Sequence, residues 1–68
     1  MKIYVNSEDR DVLENLNITE LLIELDIDPE QSGIAVALNR EVIPRTAWKT
    51  SKLLEGSEVE IIRAVQGG

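Results

Sequence analysis

The residues best placed to do chemistry stand at the end of the chain. Gly67-Gly68 follow directly on a strand-like run, Glu58-Val59-Glu60-Ile61-Ile62-Arg63-Ala64-Val65. Two glycines add nothing to a core. Neither carries a Cβ, and both reach backbone angles closed to other residues, so the pair can thread a narrow channel and present a terminal carboxylate there. That carboxylate is the group a partner enzyme can activate. Taken alone, the diglycine is equally a frayed, glycine-rich end of the kind common at chain termini. No catalytic constellation stands beside it. The sequence contains no Cys and no His, which removes thiolate nucleophiles, the nucleophile–base pairs built on them and the usual zinc sites. The 13 carboxylates fall in predicted turns and on outer faces, where solvation is their ordinary role. No phosphate-cradling glycine loop occurs, so the chain is not expected to bind ATP by itself.

The elements that position this end are those of one small domain, since 68 residues allow no more. With 43% hydrophobic and 29% charged residues, the composition is globular rather than disordered. Eight Leu, eight Ile and six Val supply the core. The net charge of −6 opposes contacts with a phosphate backbone, so no nucleic-acid partner is expected. It suits a partner with a basic surface, and it equally serves solubility. The thiol-free composition, the absence of a signal-peptide pattern and the lack of an apolar run long enough to span a bilayer lead to the expectation of a cytoplasmic protein with no membrane partner.

Lys2 to Asn6 alternates, with Ile3 and Val5 on one face and Lys2 and Tyr4 on the other, as in a half-buried strand. Turn residues Asn6-Ser7-Glu8-Asp9 lead into a returning strand expected over Arg10–Leu13. Asn17 and Glu20 form a capping-box pattern ahead of Ile18, Leu21, Leu22 and Leu25 at helical spacing. Asp28-Pro29 is the expected end of that helix. Ile34, Val36 and Leu38 alternate with Ala35, Ala37 and Asn39 in another strand, and Asn39-Arg40 turns it into Glu41-Val42-Ile43. Pro44 stops that strand. Arg45 to Lys52 has room for a short helical turn, and Leu53 to Ser57 turns into the closing strand. The order β-β-α-β-β-β predicts an α+β domain with the helix over one sheet face. Its expected core is Ile3, Val5, Ile18, Leu21, Leu22, Leu25, Ile34, Val36, Leu38, Val59 and Ile61.

The same alternation leaves a surface uncovered. With Val59 and Ile61 inward, Glu58, Glu60, Ile62 and Ala64 point outward, as do Tyr4, Ala35 and Ala37 on their own strands. Where these strands are neighbours, an apolar patch lies beside the diglycine, and such a patch next to a reactive end reads as a docking surface.

These residues resemble the ThiS-type sulfur carriers of thiamine biosynthesis, ubiquitin-like β-grasp proteins, over the whole chain. The resemblance rests on Ile3-x-Val5-Asn6, Ile18-x-x-Leu21-Leu22-x-x-Leu25, Val36-Ala37-Leu38-Asn39, Val42-Ile43-Pro44-Arg45, Trp48, Leu54-x-Gly56-x-x-Val59-x-Ile61 and Gly67-Gly68. The stretch from Asn39 through Pro44-Arg45 to Trp48 is its most specific part. Ser7 stands where the family often has Gly, and Ser57 where it often has Asp.

The resemblance implies a β-grasp domain over residues 1–66, a mixed sheet of four to five strands with one main helix on one face, and a flexible reactive tail at 67–68. It implies a closing strand between the first strand and Ile34–Leu38, which brings Tyr4, Ile62, Ala64, Ala35 and Ala37 side by side as the docking face. It also implies a cycle in which the chain is a co-substrate and not an enzyme. An adenylating, ubiquitin-activating-like enzyme uses ATP and magnesium to activate the Gly68 carboxylate. A sulfur donor such as a cysteine desulfurase system converts it to a thiocarboxylate, and the thiazole synthase takes the sulfur. No tightly bound cofactor and no metal site is implied for the chain itself. Alternatives are a carrier for another sulfur pathway such as molybdopterin synthesis, a ubiquitin-like protein modifier, and a plain β-grasp binding module.

Overall fold

The computed structural model of the chain describes residues 1–64. Strands β1 (Lys2–Val5) and β2 (Glu8–Asp11) form an antiparallel hairpin. Its loop is Asn6-Ser7, with φ of 50° and 73°. Two positive φ values in a two-residue loop are the geometry whose twist matches a hairpin. The loop sets the register at Val5↔Glu8, so β2 begins ahead of the expected Arg10–Leu13 segment. Every side chain of β2 is exposed. Val12 follows it into the core, held by its N–H to the Met1 carbonyl at 2.8 Å.

Helix α1 (Ile18–Glu24) starts where the capping box places it. Glu20 N–H donates to Asn17 Oδ1 at 2.7 Å, and Asn17 N–H donates to Glu20 Oε1 at 3.0 Å. Ile18, Leu21 and Leu22 are buried, Leu25 is half-buried, and Ile23 faces solvent. The helix does not run to Asp28-Pro29 as expected. It stops at Glu24, with Leu25 as cap and Asp26 in the left-handed region at φ 60°. Asp26 N–H donates to the Ile23 carbonyl at 3.0 Å and Ile27 N–H to the Leu22 carbonyl at 2.8 Å. These two bonds satisfy carbonyls that the helix end leaves open, and the reversal swings Ile27 under the helix beside Leu22.

Strands β3 (Ile34–Leu38) and β4 (Glu41–Ile43) form a second hairpin on the two-residue loop Asn39-Arg40, with φ of 51° and 71°. A 3₁₀ turn, Arg45–Ala47, follows Pro44 and delivers Trp48 to the core, where its Nε1–H donates to the Ile43 carbonyl at 3.0 Å. Strand β5 (Glu58–Arg63) closes the sheet in the order β2-β1-β5-β3-β4, parallel to β1 and antiparallel to β3.

The core is Ile3, Val12, Ile18, Leu21, Leu22, Ile27, Ile34, Val36, Trp48, Leu53 and Val59. Four expected members, Val5, Leu25, Leu38 and Ile61, are only half-buried and pack against its margin. Val12, Ile27, Trp48 and Leu53 take the interior instead, all from irregular segments. Among the described residues, no buried side-chain nitrogen or oxygen lacks a hydrogen-bond partner. No described helix is long and apolar enough to cross a membrane.

Candidate functional site

The site is built around β5, the strand that precedes the diglycine in sequence. Side chains on a strand alternate between faces. Val59 is buried against the helix layer, while Glu58, Glu60 and Ile62 are exposed on the other face. Ile62 is 55% exposed, a large apolar side chain on a sheet face that no described element covers. Cross-strand register places Ala35 beside it. Ala64, also exposed, follows, and its N–H donates to the Gly33 carbonyl at 2.7 Å. Gly33 has φ 80°, and a Cβ there would meet the Ala64 Cβ at 3.5 Å. A side chain at 33 is disfavoured by the backbone angle rather than by the contact.

The expected patch is therefore brought together only in part. Ile62, Ala64 and Ala35 are neighbours. Ala37 is half-buried and lies beside Glu60, and Tyr4, 39% exposed, lies beside Glu58. Ile62 lies four residue steps along β5 from Tyr4's partner Glu58, roughly 13 Å. Two carboxylates thus interrupt the row of apolar side chains. Val42 was not anticipated in this surface. It pairs with Ala37 on the same face and is 68% exposed. Its signal was available: Val42 alternates with half-buried Ile43, which claims the inward place in a strand ended by Pro44.

The motif from Asn39 to Trp48 builds the frame of this surface rather than any chemistry. Asn39 holds the start of β5, its Oδ1 accepting Glu58 N–H at 2.9 Å while its own N–H donates to the Glu58 carbonyl at 2.7 Å. Arg45 stacks over the Trp48 ring, 4.4 Å from its centroid. The same guanidinium donates to the carbonyls of Pro29 and Gln31, tying down the loop that leads to Gly33. At the two departures from the family pattern, Ser7 sits at φ 73°, and buried Ser57 closes the last turn, its Oγ accepting Leu54 N–H at 2.9 Å. Among the described residues, no group of three or more metal-ligating side chains converges. The expectations placed on Gly67 and Gly68 lie outside the described residues.

A mixed five-stranded sheet with one helix on one face and the last strand at its centre defines a ubiquitin-like β-grasp protein. Within that class the chain belongs to the ThiS family, whose model matches residues 3–68. It is 28% identical over 68 residues to the sulfur carrier protein ThiS of Escherichia coli K12, covering all of both chains. It is 29% identical over 68 residues to a thiazole synthase of Paramagnetospirillum magneticum, of which it spans only 20%. The crystal structure of the thiamine biosynthesis protein ThiS from Geobacter metallireducens superimposes with a TM-score of 0.85 at 34% identity, over 100% of each chain. A solution structure of a thiamine biosynthesis protein from the same organism gives 0.81 at 34% identity, over 100% of this chain and 88% of that one.

Proposed function

We propose that the chain carries sulfur for thiamine biosynthesis on the carboxylate of Gly68. The observation that carries this is the family match through residue 68, diglycine included, on a fold whose central strand leads to it. A carboxylate is a poor electrophile because it has no good leaving group. Its attack on ATP, with magnesium, at an adenylating partner releases pyrophosphate and leaves an acyl-adenylate. Sulfur delivered at the sulfide level by a donor then displaces AMP and leaves a thiocarboxylate. The thiazole synthase takes that sulfur. The catalytic groups belong to the partners, and this chain contributes the acyl end and a docking face of Ile62, Ala64, Ala35 and Ala37, with Tyr4 as an outlying contact. A thiazole synthase as partner is supported by the relative of that name, in which a stretch similar to this whole chain makes up 20% of the protein.

The test is intact mass after incubation with the adenylating enzyme, ATP, magnesium and a sulfur donor. The expected product is heavier by the exchange of one oxygen for sulfur. Deleting Gly68 is expected to leave thermal unfolding unchanged and to abolish the exchange, and Gly67→Val to block it by stiffening and widening the tail. An exchange that survives deletion of Gly68 removes the tail as the reactive group. Docking is read from Ile62→Glu: binding to the adenylating enzyme is lost, while stability shifts by about 0.5 kcal/mol or less.

A further inference from the structure

β5 is the central strand, yet its two sides end differently. On the β3 side it is paired along its whole length, Arg63 lying opposite Ile34 and the Ala64 N–H bonded to Gly33. On the β1 side the ladder stops at Val5↔Val59, because the chain turns away at Asn6-Ser7. Asn6 extends it by one step. Its N–H donates to the Val59 carbonyl at 2.8 Å, and its side-chain Oδ1 accepts Ile61 N–H at 2.8 Å. Its Nδ2 also faces the Ile61 carbonyl, at 3.4 Å.

Backbone groups of a strand address its two neighbours alternately. The Ser57 carbonyl, the Val59 carbonyl and the Ile61 N–H all point to the β1 side. Arg63 is the next residue in that series. Among the described residues, neither its N–H nor its carbonyl has a hydrogen-bond partner there.

We propose that this Arg63 backbone edge pairs with a short extended segment of the adenylating enzyme, continuing the sheet as the tail is taken up. The proposal rests on the carrier reading above. Gly68 stands four residues after Ala64, and four residues span at most about 14 Å when fully extended. An enzyme that reacts with Gly68 must therefore bring its surface against this end of β5. The outer edges of the sheet are poor alternatives: β2 exposes only Glu8, Asp9, Arg10 and Asp11, and β4 is three residues long and followed by Pro44. Charge and proline are the usual protections of an edge. By contrast, Ile62, Arg63 and Ala64 are all exposed. Strand addition takes its affinity from main-chain bonds and its specificity from alternate side chains, here Ile62 and Ala64 on the outer face.

The experiment follows backbone amide exchange by NMR in the labelled carrier, free and saturated with the adenylating enzyme without ATP. Arg63 N–H is expected to exchange rapidly in the free protein and about tenfold or more slowly in the complex. Ile61 N–H, already bonded to Asn6, is expected to be slow in both. A second arm replaces the Ile62–Arg63 amide by an ester, which deletes the N–H and keeps both side chains. Binding is expected to weaken about fivefold, the worth of one hydrogen bond, with unfolding only slightly easier because the ester leaves Ile62 a weaker carbonyl acceptor on the β3 side. A complex in which Arg63 exchanges as fast as in the free carrier overturns the proposal. So does protection of Arg63 with full affinity for the ester, which reports burial without pairing. If no complex forms and no sulfur is loaded, the carrier reading itself falls, and this proposal with it.

Discussion

The two hairpins that flank β5 are built alike and do different things. Each turns on two residues beginning with asparagine, each holds both turn residues at positive φ, and each sends its asparagine side chain onto β5. The difference is direction. β3 runs antiparallel to β5, so its turn lies beside the beginning of β5 and Asn39 meets Glu58. The start of β3 then lies beside the end of β5 and pairs it through Gly33. β1 runs parallel, so its turn necessarily falls beside the later part of β5, and Asn6 meets Ile61. One local device thus anchors the strand on one side and ends its pairing on the other. Because β1 turns into its hairpin beside Val59, the final described residues of β5 are left unpaired by β1 beyond the Asn6 side chain, and they precede the diglycine in sequence.

The largest expected effect removes what the hairpins share. Leu22 is fully buried under the sheet and beside Ile27. Leu22→Ala is expected to cost roughly 2–5 kcal/mol in chemical denaturation, because a small core has little freedom to refill the cavity. An unchanged midpoint would mean that the helix does not seat both hairpins.

Next come the two asparagines. Asn6→Ala and Asn39→Ala each lose a bond to β5 and a residue type that tolerates positive φ, and each is expected to cost about 1–2 kcal/mol. Their consequences should separate in amide exchange. Asn6→Ala releases Ile61 N–H, whereas Asn39→Ala releases Glu58 N–H and leaves Ile61 protected. Equal loss of protection along the strand in both variants would break the proposed division of labour.

The smallest effect is a gain. Ser7 at φ 73° and Arg40 at φ 71° hold the second turn positions, where a Cβ is disfavoured. Ser7→Gly and Arg40→Gly are each expected to stabilise by up to about 1 kcal/mol, read as a raised midpoint of thermal unfolding. A gain at one turn alone would show that the two are less alike than their angles.

Much of the outer sheet face was legible from residue types, because alternation over Tyr4, Ala35, Ala37 and Ile62 is a property of each strand by itself. What alternation left open was which outward residues meet. Glu58 and Glu60 separate Tyr4 from Ile62 because the β1–β5 register places Tyr4 at the start of the strand. Val42 joins the face only through its pairing with Ala37.

The sequence by itself determined the features whose causes lie within a few residues. Asn17 and Glu20 cap the helix because they satisfy its first N–H groups locally, and the strand cores of β1, β3 and β5 follow from a period of two. Both two-residue turns lack the glycine that usually marks two positive φ values, yet Asn39-Arg40 was legible between two clear strands, whereas Asn6-Ser7 runs into polar Glu8-Asp9, and so the start of β2 was misplaced. Only the tertiary structure decided that Val12, Ile27, Trp48 and Leu53 are core, since residues in irregular segments carry no periodicity and are buried by what packs over them. The resemblance already placed the closing strand between the first strand and Ile34–Leu38, as the structure has it; where each neighbour ends, and therefore where the β5 backbone is left open, only the tertiary structure decided. Strand partners are chosen by burial and hydrogen bonding between segments far apart in the chain, and no local pattern in β5 records which neighbour ends first.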